Sequence, residues 1–70
     1  MRRADLLKRI ARQARANNVT WQLVREGRQH EIWLCGAKQV SIPRHREINT
    51  YTAEAIMKDL ASELGAEWWR

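Results

Sequence analysis

Apolar residues near the start of the chain recur with the spacing of one helix face. Between residues 4 and 16 they stand three, four and seven positions apart, and the segment contains no glycine or proline. The stripe consists of Leu7, Ile10, Ala11 and Ala14, with Leu6 widening it. Behind it, the pair Asn17-Asn18 is a stop signal, because asparagine tolerates the left-handed conformation at a helix end. We therefore predict a first helix over residues 4–16.

After this helix, apolar residues occur at every second position, which is typical of strands. Val19, Trp21 and Leu23 follow this spacing within residues 19–26, the first predicted strand. Gly27 then permits a turn. Residues 29–35, whose apolar centre lies at 32–34, form the second predicted strand.

A third strand is predicted over residues 38–42. The short Gly36-Ala37 connection in front of it suits a hairpin, and Pro43 closes it because proline has no backbone N–H to donate to a ladder. Because the connections are short, we expect the three strands to form an antiparallel meander.

The second helix is predicted to begin after a loop at residues 44–49. Asn49, Thr50 and Thr52 are all good N-caps, and the sequence does not choose between them. The apolar stripe of this helix is Ala53, Ile56, Met57, Leu60 and Leu64. Gly65 is placed as its C-cap, and the short tail at 66–70 contains Trp68 and Trp69, which either fold back on the domain or mark a partner-binding patch.

The predicted order is thus α-β-β-β-α in a single domain over residues 1–70, with its core at about 4–65. Two amphipathic helices most simply cover one face of a three-stranded antiparallel sheet and leave the other face open. We therefore predict an α+β fold of this kind. A chain of this size buries only about 60% of its unfolded surface, so a surface groove is more plausible than a deep pocket.

The charge balance points to a polyanionic partner. The chain has 13 lysines and arginines against 8 aspartates and glutamates, a formal net charge of +5. A basic surface on a small domain attracts nucleic acid or an acidic protein. No apolar run is long enough to span a bilayer or to form the core of a signal peptide, so we expect a cytoplasmic protein without a membrane partner.

The sequence gives no indication of a reactive cysteine or of a metal site. Cys35 is the single cysteine, which excludes an internal disulfide and fits a reducing compartment. We interpret it as a small apolar strand residue rather than a nucleophile. His30, His45 and Cys35 stand at no recognised ligand spacing, so we predict no metal site and no cofactor.

The stretch from Arg25 to Trp33 places a histidine beside a turn that arginines flank. Histidine can take and give a proton near neutral pH, and arginine recognises phosphate best. Cleavage of RNA without a metal needs a base for the 2′-hydroxyl, an acid for the leaving 5′-oxygen and positive charge around the phosphate. His30 could supply the proton transfer, with Arg25, Arg28 and Lys38 as candidates for the phosphate.

A second basic group precedes the second helix. Arg44 and Arg46 flank His45 just ahead of the helix start, where a phosphate could bind, and His45 is the only candidate for a second proton carrier. Each of these residues also has an interpretation without a function. His30 is then a solvated residue at the end of a strand, and His45 caps the second helix or bonds a backbone carbonyl. Arg44 and Arg46 are then solvated side chains of a loop. Glu31 is interpreted as a solvent-facing charge on the face opposite His30.

Several short motifs in this order resemble one family. An aromatic opens the first strand and an arginine lies near its end, and a histidine at the next turn is followed by an apolar residue and an aromatic. Farther on come Pro-x-His, a charged residue, an apolar residue and a threonine that opens the last helix. Here these positions are Trp21, Arg25, His30-Glu31-Ile32-Trp33, Ile42-Pro43-Arg44-His45, Glu47-Ile48 and Thr52. Together they resemble the HicA toxins of bacterial toxin–antitoxin systems.

The resemblance covers Leu6 to Leu64 and implies a fold like that of a double-stranded-RNA-binding domain, ribonuclease activity on mRNA, and a HicB-like antitoxin as a protein partner. It also implies that His30 is the catalytic histidine. The chain departs from the family at the turn, where Arg28 and Gln29 stand in place of Gly and Ser and Gly27 lies one position earlier. A non-catalytic RNA-binding module on the same fold, or a degenerate toxin that only binds its antitoxin, are the alternatives that the sequence leaves open.

Overall fold

The chain folds into a helix, a three-stranded sheet and a second helical segment, in the order that its sequence patterns predict. The computed structural model describes residues 1–70, with α1 at Arg3–Ala16, β1 at Trp21–Glu26, β2 at His30–Cys35, β3 at Lys38–Pro43, α2 at Thr50–Asp59 and α3 at Ala61–Leu64. The strands form one antiparallel sheet in the order β1-β2-β3. This confirms the predicted α+β fold and its α-β-β-β-α order. None of the helices combines the length and the apolar character that crossing a bilayer requires.

The apolar stripe of α1 is centred on a different row of residues than the sequence predicted. Its buried residues are Leu6, Ile10 and Ala14, which stand four positions apart, whereas Leu7 is only half-buried. Each step along a helix turns about 100°, so the row that starts at Leu6 points into the core and Leu7 lies at its border. The predicted stop is confirmed, since Asn17 is the C-cap and Asn18 has a positive φ of 57°.

The predicted second helix is divided in two at Leu60. This residue is the C-cap of α2 and also the N-cap of α3, and its φ and ψ of −87° and 1° lie outside helical geometry. Its side chain is fully buried, so the break does not take it out of the core. At the start of α2, the side chain of Asn49 accepts a hydrogen bond of 2.7 Å from the N–H of Thr52, which identifies Asn49 as the cap among the predicted candidates.

The strand register separates the sheet into two faces. Successive strand residues point to opposite sides, and directly paired residues share a side. The covered face, against which the helices pack, carries Trp21, Glu31, Trp33, Cys35, Lys38, Val40 and Ile42. The open face carries Arg25, His30, Ile32, Leu34 and Ser41.

A bulge in β1 decides the face on which Arg25 lies. The pairing runs from Leu23 opposite Trp33 to Arg25 opposite Ile32, with Val24 as the extra residue. By alternation alone Arg25 would share the covered face with Leu23, whereas the extra residue moves it to the face of His30. The strand also begins at Trp21, two residues later than the predicted start at Val19.

The core is entirely apolar. Its buried residues are Leu6, Ile10, Ala14, Cys35, Val40, Ile42, Ile48, Ala53, Ile56, Met57, Leu60 and Leu64, and no polar or charged side chain is buried. Cys35 is fully buried in this cluster, which confirms its interpretation as an apolar strand residue. Any polar chemistry must therefore take place at the surface.

The tryptophans pack around this core. Trp21 and Trp33 stack on the covered face with ring centroids 4.6 Å apart. Trp68 folds back and donates its indole N–H to the carbonyl of Met57 at 2.8 Å, with Trp69 edge-on against it. Of the two alternatives for the tail, the structure therefore has the tryptophans packed on the domain.

Candidate functional site

His30 lines a groove between the sheet and α2. It is the first residue of β2, it is exposed on the open face, and its partner across the ladder is Pro43. The groove has a volume of about 730 Å³. It is lined by His30, Val40, Ser41, Pro43, Thr52, Ala55, Ile56, Lys58 and Asp59. This is an open surface groove rather than a deep pocket, as the small size of the chain predicted.

The turn that presents His30 is held by backbone hydrogen bonds and one arginine. Gly27 donates its N–H to the carbonyl of His30 at 2.8 Å, which closes the turn. Arg44 donates its backbone N–H to Gln29 at 2.9 Å and a guanidinium N–H to the carbonyl of Gly27 at 2.8 Å. The loop behind β3 thus fixes the turn in front of β2.

Glycine is required at position 27 for a reason inside the chain. A Cβ atom there would lie 2.7 Å from the carbonyl oxygen of His30, a contact too short for any side chain. The prediction that Gly27 permits a turn is therefore confirmed.

Glu31 was interpreted as a solvent-facing charge, and that interpretation is wrong. It does lie on the face opposite His30, but its side chain is only 12% exposed. It accepts hydrogen bonds from the guanidinium of Arg3 and, at 3.0 Å, from the indole N–H of Trp33. The reason is that α1 begins directly over this end of β2 and brings a cation to the carboxylate.

Arg3 consequently connects three elements next to His30. Besides its ion pair with Glu31, it donates its Nε–H to the carbonyl of Pro43 at 2.8 Å. Glu31 follows His30 in the chain, and Pro43 is the ladder partner of His30. Arg3 therefore holds the side chain of the residue after His30 and the carbonyl of the residue opposite it in the ladder.

The predicted phosphate ligands Arg25 and Arg28 lie near His30. Arg25 is exposed on the open face opposite Ile32, and His30 is two residues from Ile32 on the same face. Such diagonal neighbours are about 7–8 Å apart, within reach of an arginine side chain. Arg28 is exposed in the turn itself. The backbone therefore places Arg25 on the face of His30 and Arg28 in the turn two residues before it.

Lys38, the third of these candidates, lies elsewhere. It pairs with Cys35 at the opposite end of the β2–β3 ladder from His30 and Pro43, a separation of about 16 Å along the strand. It is on the covered face, and its amine forms a salt bridge of 3.0 Å with Asp59. The structure does not bring Lys38 together with His30.

The groove contains one cation that sequence reasoning missed. Lys58 lines it on the α2 side, next to Asp59, and takes part in none of the salt bridges of the protein. The spacing of the groove residues in α2 could have indicated this face. Residues 52, 55, 56 and 59 follow the helical repeat of a single face, and Lys58 borders that face. Only the position of α2 beside β3 could show that this face lines a groove.

His45 borders a neighbouring cleft rather than the groove of His30. That smaller cleft, of about 90 Å³, shares Pro43 and Thr52 with the groove. Because Asn49 caps α2, His45 is not needed for that purpose. The two histidines thus line different clefts, and a role for His45 in proton transfer stays a prediction.

Arg44 and Arg46 line a third cleft, at the start of α1.

Cys35 lies away from all three clefts. Burial raises the pKa of its thiol, and the nearby Glu63 carboxylate raises it further. No three histidine, cysteine, aspartate or glutamate side chains are arranged so that they could hold a metal ion.

Comparison of the chain with known proteins finds no relative. No family model matches the chain, and no match was found among the curated proteins or the solved structures. The resemblance to HicA toxins thus rests on the short motifs alone and stays a prediction.

Proposed function

We propose that this protein is a metal-independent endoribonuclease that cleaves mRNA, acting as the toxin of a toxin–antitoxin pair in the cytoplasm. The observation that carries the proposal is the position of His30. It is an exposed histidine that lines a surface groove, on the same face as Arg25 and directly after a turn that contains Arg28.

The chemistry requires two proton transfers. When the 2′-oxygen of a ribose forms a bond to phosphorus, the phosphorus–O5′ bond breaks, so one proton leaves the 2′-oxygen and one reaches the 5′-oxygen. His30 is assigned to one of these transfers, and Arg25 and Arg28 hold the phosphate as negative charge develops. Lys58 is a further cation in the groove, and His45 is the candidate for the second proton transfer.

The shape of the site supports a polymer as substrate. The groove lies at the surface, and its walls carry the hydroxyls of Ser41 and Thr52, the cation of Lys58, and the carboxylate of Asp59, which Lys38 neutralises in a salt bridge. A sugar–phosphate backbone needs this combination of hydrogen-bonding groups and positive charge. A HicB-like antitoxin would neutralise the protein by covering the open face and with it His30.

The alternative is a non-catalytic RNA-binding module. The arginines around the turn favour it, because they would bind a phosphate backbone whether or not His30 transfers a proton, and Arg28-Gln29 differs from the family turn. An assay that measures binding and cleavage separately distinguishes the two functions.

The test compares the wild type with His30→Ala on a single-stranded RNA of mixed sequence. We expect cleavage to fall about 10²–10⁴-fold, the usual contribution of one proton-transfer group, while RNA binding is nearly unchanged. Gln29→Ala is the matched control, since this exposed neighbour contributes only its carbonyl to the turn. RNA binding without cleavage by the wild type would support the module instead.

A further inference from the structure

The first residues of the chain are held against the loop between β3 and α2. Arg3 donates its N–H to the carbonyl of Arg46 at 2.9 Å, and Ile48 donates its N–H to the carbonyl of Met1 at 2.8 Å. Arg2 and Glu47 form an antiparallel bridge between these bonds. The backbone at 1–3 is thus ordered by strand-like pairing.

This pairing creates a cleft whose walls are almost entirely arginine. The cleft has a volume of about 340 Å³ and is lined by Ala4 and by Arg2, Arg3, Arg44 and Arg46. No acidic residue lines it. Two acidic residues, Asp5 and Glu47, adjoin the lining residues in the chain, but neither lines this cleft, and Glu47 lines the cleft of His45 instead.

The charges in this cleft are only partly balanced. Arg3 is paired with Glu31, and Arg44 donates to the carbonyl of Gly27. Arg2 and Arg46 take part in no salt bridge and in no side-chain hydrogen bond. Like charges that converge on one cleft repel each other, and a bound anion would remove that repulsion.

We propose that this arginine cleft binds backbone phosphates of the RNA next to the one that reacts at His30. The planar guanidinium matches the oxygens of a phosphate, and two of them have no other partner here. Arg44 connects the two sites, because it lines the cleft and also holds the turn in front of His30. A strand that enters the groove of His30 would continue over this turn into the cleft.

The proposal rests on the proposed function in one respect, that the ligand is RNA. It adds Arg2 and Arg3, which no motif singled out, and it separates a binding cleft from the residues at the reacting phosphate. Arg2 and Arg46 are suited to a test because the fold uses their backbone carbonyls and not their side chains.

The experiment measures binding of a labelled single-stranded RNA to the full chain carrying His30→Ala, at several salt concentrations. Adding Arg2→Gln and Arg46→Gln should lower the slope of log affinity against log salt by about 1.4, since each single-strand phosphate contact contributes about 0.7. Affinity should fall about tenfold or more. Restoring charge with Arg2→Lys and Arg46→Lys should restore the slope.

The matched control is Arg12→Gln with Arg15→Gln, which removes the same charge from an exposed part of α1. If the control weakens binding as much as the cleft variant, or if the lysine variant stays as weak as the glutamine variant, the cleft is not a phosphate site. Cleavage by the wild type is measured separately. Cleavage that survives His30→Ala would overturn the catalytic proposal and leave the cleft intact, whereas an unchanged salt slope would overturn only the cleft.

Discussion

The covered face and the open face of the sheet consist of alternating residues of the same strands, yet only one of them belongs to the core. Cys35, Val40 and Ile42 on the covered face are buried, whereas Arg25 and His30 on the open face are exposed. Stability and the candidate chemistry are therefore assigned to opposite faces. It follows that substitutions on the open face should change function without unfolding the protein.

The largest expected difference between the faces concerns an isoleucine on each. Ile42→Ala removes a fully buried side chain and should lower the free energy of unfolding by about 2–5 kcal/mol. Ile32→Ala is the matched change on the open face, where the side chain is half-buried, and should cost about 1 kcal/mol or less. Urea unfolding measures both values, and equal losses would contradict the division into two faces.

A smaller difference is expected between two cations. Arg25→Gln removes a charge from the face of His30 and should lower RNA cleavage about tenfold or more, as expected for a charged contact to phosphate. Lys38→Gln removes the same charge from the covered face, where Asp59 already holds the amine, and should change cleavage less than about twofold. Initial cleavage rates at constant salt decide this comparison. A loss at Lys38 as large as that at Arg25 would show that the two faces do not differ in this way.

The smallest effect is expected at the helix that forms one wall of the groove. Asn49→Ala removes the cap of α2 and should lower the free energy of unfolding by about 1 kcal/mol, measured by thermal unfolding. Thr50→Ala, at the adjacent exposed position, is the control and should cost less. If the two substitutions cost the same, the cap does not contribute the stability assigned to it here.

The elements of this fold could be predicted from local patterns, because helix stripes, strand alternation and turn residues are properties of short segments. Their exact geometry could not. The bulge at Val24 leaves no signal in the alternation of β1, although it decides that Arg25 shares a face with His30. The break at Leu60 is hidden in the same way, since the apolar stripe continues across it.

The candidate site was predicted in part for a similar reason. Arg28 stands two positions before His30, so one turn is enough to keep them together, whereas Arg25 reaches the face of His30 only through the bulge. Lys58 and the ion pair of Glu31 with Arg3 depend on contacts between distant elements, which no local pattern encodes. Lys38 was chosen for its strand, but the register places it at the far end of the ladder.

The measurement that tests the central claim most directly is RNA cleavage by the wild type and by His30→Ala, together with the free energy of unfolding of both. The account predicts a loss of cleavage of about 10²–10⁴-fold and a change in the free energy of unfolding within about 0.5 kcal/mol, because an exposed side chain is removed. Cleavage that survives the substitution in a folded protein would contradict the claim that His30 transfers a proton in the reaction.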